Sequence, residues 1–536
     1  MRHSHSRSRS CLVAGLVLLS LVAAACGSGA SNSSASDAPP SALIPKEERK
    51  LAPNQNLVVR QYSEPQGFDP AFLFRIENEL IAINLYNGLT TYDPLTAEPV
   101  PDLAKSWEIS PDGLTYTFAL VDNAKWHDGS GTLTSADVKY SYERVMNPAT
   151  GSTYRAEFNN VASIEAPSDF TVIIKLKQPD ANFLYQVGNN HQGQVVKQSV
   201  VERLGAQYAR NPMGTGPFSL TQWVPNSTMV LKAHDGYFKG RPHLDTVTFD
   251  LITDHATAET ALLNGEVALA AGMASLSTEQ FDRVRSTPGF KIHESEAYAV
   301  NVWLFGPEVV PFKDARVRRA FGMAIDEDTI SKTLTPYTAK KSSSILPPWM
   351  AVYDKDAKPI AYDPTAAQKL LADAGYASGF TVKYMTTASS DALLLRQQYL
   401  AKVGIKMDLE IVEPAVYNSR RQSASFELSG RLYPAVNPDT LLFGYLHPDN
   451  VAPAGLNSSR YSNPVLTDLL EKARASLVEA ERLELYRKAQ KFIADEVPYI
   501  PMAASSNVWM GTEKVKNVQV NRLATVDLHP VYISSE

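Results

Sequence analysis

Cysteine is almost missing: the 536 residues hold two, Cys11 and Cys26, and the 510 residues after them hold none. No disulfide can brace the body of the chain, and metal sites built on clustered thiolates are excluded there. Long apolar runs are missing too. The longest, Cys11 to Ala25, has fifteen residues, short of the ~20 that a spanning helix needs. Gly (28) and Pro (34) stay near their average share, which removes collagen-like and low-complexity classes. Nothing recurs at a period of about 20–50 residues, which removes solenoids and propellers. Catalytic signatures are just as scarce: there is no G-x-S-x-G, no G-x-x-x-x-G-K-[ST] and no H-E-x-x-H, so the marks of the commonest hydrolases, nucleotidases and zinc proteases are absent. Beyond His3 and His5, the histidines are His127, His191, His234, His243, His255, His293, His447 and His529. None forms an i,i+4 pair or a short cluster, so no metal and no cofactor are expected. His447 alone stays open, either as a lone contact to a ligand or chelated metal or as a surface residue.

What is present describes a soluble body. Hydrophobic residues make 44% and charged residues 20%, and the length suggests two to four domains. At the start, Arg2, Arg7 and Arg9 precede the fifteen-residue apolar run, the layout of a signal peptide over residues 1–25. The run ends in Ala23-Ala24-Ala25-Cys26-Gly27, which resembles the lipobox of bacterial lipoproteins, with Ala23 where Leu is more usual. That resemblance implies lipidation of Cys26, followed by a Gly/Ser-rich flexible tether over 26–51. Without residues 1–25 the chain carries 48 basic and 57 acidic groups, a net charge of −9, which disfavours nucleic acid as a partner. The one compact basic cluster, Lys313, Arg316, Arg318 and Arg319, sits at helical spacing and is expected to be a solvated face. The carboxylate pairs Asp495-Glu496 and Glu77 with Glu79 are expected to be solvated as well.

Strand and helix patterns alternate along the chain. Strands are expected at 56–62, 115–120, 170–176, 246–252, 380–385 and 406–412. Helices are expected at 76–86, from a capping box at Thr134–Asp137 to Met146, and at 256–263, 363–374, 393–403, 464–475 and 478–494. The stretch 380–412 reads as a βαβ unit. Ser110-Pro-Asp-Gly113 and Asp128-Gly129 are turns, and Gly214, Gly216 and Pro217 fix a chain reversal. Trp126 and His127 read as packing and turn residues. Aromatics are plentiful, with 24 Tyr, 19 Phe and 6 Trp, and those in loops can line a ligand cleft.

A run of ordered segments carries a resemblance. These are Leu103–Phe118, Lys125-Trp-His-Asp-Gly129, Leu133–Ser141, Met213-Gly-Thr-Gly-Pro-Phe218, Tyr237-Phe-Lys-Gly-Arg-Pro242, Ala261–Glu266, Pro311–Arg319 with Ala324-Ile-Asp326, Tyr362-Asp-Pro364 with Leu371–Tyr376, and Tyr461-Ser-Asn-Pro464. From about residue 56 to the end, the chain resembles the family-5 extracellular solute-binding proteins of ABC importers, the peptide/nickel group. The resemblance implies a two-lobed α/β fold like that of periplasmic binding proteins, class II type, with mixed sheets, an extra domain and a hinge between lobes. It implies domain I from 52–95, 199–302 and 505–536, domain II from 96–198 and domain III from 303–504. It also implies a lipid-anchored monomer outside the cytoplasm, without catalysis, that hands a solute to an ABC permease and ATPase complex.

The resemblance places a peptide or peptide-like solute in the interlobe cleft. A non-peptide solute is the alternative: an oligosaccharide, an opine-like conjugate or a metal chelate. A secreted hydrolase or ligand-sensing co-receptor stands further off. In the peptide binders an aspartate three residues before an acidic-Pro step pairs with the ligand's ammonium; here Pro434 stands at that place and Asn437 replaces the acid of the step. Arg431 lies where an aromatic is common, and its guanidinium suits a ligand bearing an anionic group. By family position the further cleft candidates are Tyr62, Ser63, Gln66, Tyr140, Tyr433 and Asn437.

Overall fold

The computed structural model describes residues 50–73, 76–152, 154–273, 276–295, 299–434, 437–453 and 455–536. The expectations for the leader, for Cys26 and for most of the tether lie outside the described residues. Lys50 and Leu51, the end of the expected tether, already belong to the folded body: Leu51 bridges Ser534 and the Lys50 ammonium reaches Glu536 at 2.6 Å.

Three sheets organise the chain. The first has seven strands, in the order Phe290–Glu294, Val508–Thr512, Leu269–Ala270, Asn56–Gln61, Thr246–Leu251, Thr228–Ala233 and Phe218–Val224. Asn56–Gln61 runs parallel to both neighbours, with Val59 opposite Leu269 on one side and Phe249 on the other. Such a strand is covered on both faces, which is why its centre is a continuous apolar run. The second sheet has four antiparallel strands, Ala104–Ile109, Thr115–Leu120, Thr171–Leu176 and Val161–Ser168. Along Thr115–Leu120 the alternate residues Tyr116, Phe118 and Leu120 are buried, the pattern of a sheet with one face on a core. The helix Ser135–Met146 covers that face, and its start is fixed as expected: the Thr134 N–H donates to Asp137 Oδ2 at 2.9 Å.

The third sheet has six strands, Ala339–Lys341, Tyr499–Ser505, Ala299–Phe305, Leu428–Pro434, Phe380–Thr386 and Ile405–Ile411. Its last two strands are parallel, with Phe380 opposite Ile405, and the helix Asp391–Ala401 joins them as the expected βαβ unit. Two separate hydrophobic clusters flank this sheet, one around Val300, Tyr433 and Tyr486 and the other around Trp303, Phe321 and Ile405. The chain passes from the first sheet to the third between Glu294 and Ala299 and returns between Ser505 and Val508. The two crossings are stitched together: Ser295 N–H donates to Asn507 O at 3.0 Å, and Asn507 N–H donates to Ser295 Oγ at 2.9 Å. Paired crossings of this kind are where two sheets can swing as bodies.

Two surface expectations are corrected. Of the basic cluster, Lys313 and Arg316 are solvated as expected, but Arg318 is 8% exposed and Arg319 half-buried. Arg318 donates to Val497 O and Phe312 O at 2.8 Å and to Glu496 O at 2.5 Å, while Arg319 donates to Ala494 O at 2.8 Å. These arginines supply donors to the last carbonyls of the helix Glu479–Glu496, which have no partners inside the helix. Helical spacing records that side chains share a face and is silent on what covers it. Likewise Glu77 is buried and Glu79 pairs with His191 at 2.7 Å. The helix expected over 76–86 stops at Ala82, because the following backbone is claimed by the Gly214–Phe218 segment: Gly216 N–H donates to Leu85 O and Phe218 N–H to Asn84 O, both at 3.0 Å. A Cβ on Gly214 would fall 2.0 Å from Leu85 O, so that reversal needs glycine.

Candidate functional site

The four-stranded sheet meets the six-stranded sheet through a loop. Ala181 N–H donates to Arg474 O at 3.1 Å, and Asn182 Nδ2 donates to the Tyr486 hydroxyl at 3.5 Å. Beneath this junction lies a buried ionic group. The Arg474 guanidinium clamps Asp439, with Nη2 2.6 Å from Oδ2, lies 3.3 Å from the centre of the Phe443 ring, and leaves Asp180 nearby. Burial first, and then the neighbouring Asp439, push the Asp180 carboxyl up to about 6.

Next to it are two walls, each a cluster of aromatic and charged side chains. On one, His191 is stacked on Tyr154 at 4.6 Å and bonded to Glu79, and Tyr154 donates to Leu73 O. The carboxylate of Glu157, on the short turn Arg155–Phe158, has no hydrogen bond or ion pair among the described residues. Crowding by the surrounding protein raises its pKa, with Arg474 opposing the rise. On the other wall Tyr433 and Tyr445 stack at 3.7 Å, and the Arg431 guanidinium lies 5.2 and 5.4 Å from their ring centres. Burial raises the Tyr445 phenol, Arg431 opposes the rise, and Glu157 adds to it.

The sequence-derived candidates fall into two groups. Arg431 and Tyr433 share the wall just described, Arg431 half-buried and Tyr433 1% exposed within the stack. Asn437 lies on the same connection, 3% exposed, and its Oδ1 accepts from Thr440 N–H at 2.8 Å as the cap of the helix Pro438–Leu446. Pro434 forms the end of its strand opposite Ala299. The second group follows the strand Asn56–Gln61. Tyr62 packs on the core of the seven-stranded sheet and against Gly272, Ser63 is half-buried, and Gln66 is exposed with its N–H on Asn78 Oδ1 at 3.3 Å. Tyr140, half-buried, packs against that same core. His447 is not a surface residue: it is stacked on Phe443 at 3.8 Å, accepts from Asp449 N–H at 3.2 Å, and burial lowers its pKa. No group of three or more metal-ligating side chains occurs among the described residues.

Three residues of this region escaped the sequence reading. Glu157 and Arg474 sit in ordinary charged stretches, and only the folded chain brings them to one neighbourhood. Arg421, on the helix Pro414–Gln422, was equally anonymous. With Arg431 it lines a cavity of about 400 Å³ that opens beside the Tyr433–Tyr445 wall.

A pair of chain crossings between two sheet bodies, with aromatic and charged side chains clustered beside them, fits a two-lobed solute-binding protein. The chain belongs to the bacterial extracellular solute-binding proteins, family 5, whose middle region matches residues 98–453. Members of this family are transport binding proteins that work outside the cytoplasm, not enzymes. A Brucella ovis protein named as an ABC transporter peptide-binding protein is 30% identical over 454 residues, covering 81% of this chain and 84% of that one. The dipeptide-binding protein of Escherichia coli is 27% identical over 506 residues, 88% of this chain and 93% of that one. Among solved structures, the periplasmic binding protein DppA of Helicobacter pylori, in complex with the peptide STSA, superposes with a TM-score of 0.82 at 27% identity, over 91% of this chain and 99% of that one.

Proposed function

We propose that this protein captures a peptide or peptide-like solute between its lobes and delivers it unaltered to an ABC permease and ATPase complex. The observation that carries the reading is an acid with no ion pair, Glu157, in the neighbourhood of Arg431, Tyr433 and Tyr445, in a family whose similar members are named for peptides. A zwitterionic ligand suits that neighbourhood. The unpaired Glu157 carboxylate takes the ammonium in place of an acid at Pro434, and guanidinium groups on the other wall take negative charge. Tyr62, Ser63, Gln66 and Tyr140 contribute from the first lobe, and Asn437 acts by holding the start of its helix.

The proposed domains are 52–95 with 199–302 and 505–536, then 96–198, then 303–504, with the third closing on the other two. The Ala23–Gly27 pattern supports cleavage before Cys26 and lipidation there, which would hold a monomer on the membrane's outer face. Titration calorimetry with trialanine tests the ligand reading: Glu157→Gln is expected to weaken binding at least tenfold, and equal affinity would remove Glu157 from the account. Labelling with radioactive palmitate, lost in Cys26→Ser, tests the anchor.

A further inference from the structure

We propose that the cavity between Arg421 and Arg431 is a carboxylate subsite, so that the transported solute presents a carboxylate to the large lobe. The inference rests on the peptide reading above and names what that ligand must carry. The cavity is about 400 Å³, and among its lining residues are Asn301, Tyr384, Tyr417 and Asn418 besides the two arginines; among the described residues no Asp or Glu lines it. Its two cations are unspent. Arg421 Nε and Nη1 are shut off from solvent yet have no hydrogen-bond partner. The Arg431 guanidinium has no ion pair or hydrogen bond among the described residues and is held only by its ring contacts to Tyr433 and Tyr445.

The other arginines of this lobe show what a spent guanidinium looks like. Arg318 donates to three carbonyls. Arg396 is clamped on Glu327 with Nε 2.9 Å from Oε2, Arg474 is clamped on Asp439, and Arg420, adjacent to Arg421, reaches Glu410 at 2.7 Å. Two guanidinium nitrogens held out of water without a partner are a standing cost in the unliganded protein. A carboxylate is the group that would remove the cost, since it can accept from both guanidinium groups. The cavity is also held open by shape. Tyr417 donates to Gly430 O and accepts from Ser429 Oγ at 3.0 Å, so its ring is pinned. Gly430 leaves room for the Tyr384 hydroxyl, which a Cβ would meet at 2.2 Å.

The carboxylate can be a free C-terminus or an acidic side chain, and calorimetry on the full chain separates the two. The probes are trialanine, trialanine amide, Ala-Glu-Ala amide, Ala-Gln-Ala amide and glutarate, each against the wild type, Arg421→Met and Arg431→Met. A C-terminal source predicts at least tenfold weaker binding of trialanine amide than of trialanine. A side-chain source predicts the same ratio between Ala-Gln-Ala amide and Ala-Glu-Ala amide. Either ratio should collapse toward one in Arg421→Met. Peptides that bind without any preference for a carboxylate, or a preference that survives both substitutions, overturn the subsite and leave the peptide reading standing. Glutarate binding with every peptide silent would support the subsite and sink the peptide reading; silence in every arm overturns the subsite. Thermal melting guards against a folding artefact. Unliganded Arg421→Met is expected to melt no lower than the wild type, because two buried donors without partners are removed, whereas a clear drop would make Arg421 a structural residue and overturn the proposal.

Discussion

Asp180→Asn should stabilise the protein at neutral pH and do nothing in acid. Asp180 is 1% exposed, at the loop where the small sheet's lobe meets Arg474. Its carboxyl is raised from an ordinary 3.8 to about 6, first by burial and then by Asp439. A rise of about two pH units corresponds to about 3 kcal/mol of preference for the protonated form. The sign follows directly. Below about pH 4 the group is protonated whether the chain is folded or unfolded, and no cost arises; between about 4 and 6 the unfolded chain releases the proton first, so stability falls as pH rises. Above about 6 the full cost is present. Asparagine mimics the protonated acid and keeps the local bonds. Its oxygen can still accept from Asn182 N–H, now at 2.9 Å, and its NH2 can meet Gln186 Oε1, which has no partner at present, once that amide turns over. Relaxation will trim the gain, so about 1–3 kcal/mol is expected at pH 8, read from urea unfolding followed by circular dichroism. The difference should shrink steadily below pH 6 and vanish near pH 4. A variant less stable than the wild type at pH 8 would refute the reasoning, because it would make Asp180 a productive partner of Arg474.

Other substitutions probe the frame around the site. Arg318→Met strips three carbonyls of their donor and should cost about 2–4 kcal/mol, with Arg318→Lys recovering part of it in the same urea assay. Glu327→Ala leaves Arg396 as an uncompensated buried charge and should cost about 3–5 kcal/mol; a loss under 1 kcal/mol would show that water reaches the pair. Gly430→Ala should cost about 1–3 kcal/mol by pressing on the Tyr384 hydroxyl, and Tyr384→Phe in the same chain should recover much of it. Additive losses in that cycle would mean that the two residues do not interact.

Local structure was legible in the sequence wherever one residue type had one use. The capping box at Thr134, the βαβ unit over 380–411 and the turn at Gly113, with φ of +70°, all follow from short-range chemistry. Partners distant in sequence were not legible. Arg318 sits in a run that reads as solvated until the end of a helix some 180 residues later is seen to need its donors. The site shows the same division. Arg431 stood out because it departs from a family pattern. Glu157, Arg421 and Arg474 do not depart from anything, and they matter only through what folding leaves paired or unpaired. His447 misled for the same reason, since a lone histidine in a sequence carries no sign of the Phe443 ring that covers it.

The central claim is that a solute is held between the lobes and released unchanged. Native mass spectrometry of the chain from Cys26 onward, mixed with a defined pool of di- to tetrapeptides at neutral pH, tests it most directly. The account predicts complexes of one protein with one peptide, enriched in free-acid or acidic members, each peptide recovered at its original mass after denaturation. Steady consumption of the pool, or no retained peptide at any concentration tried, would contradict it.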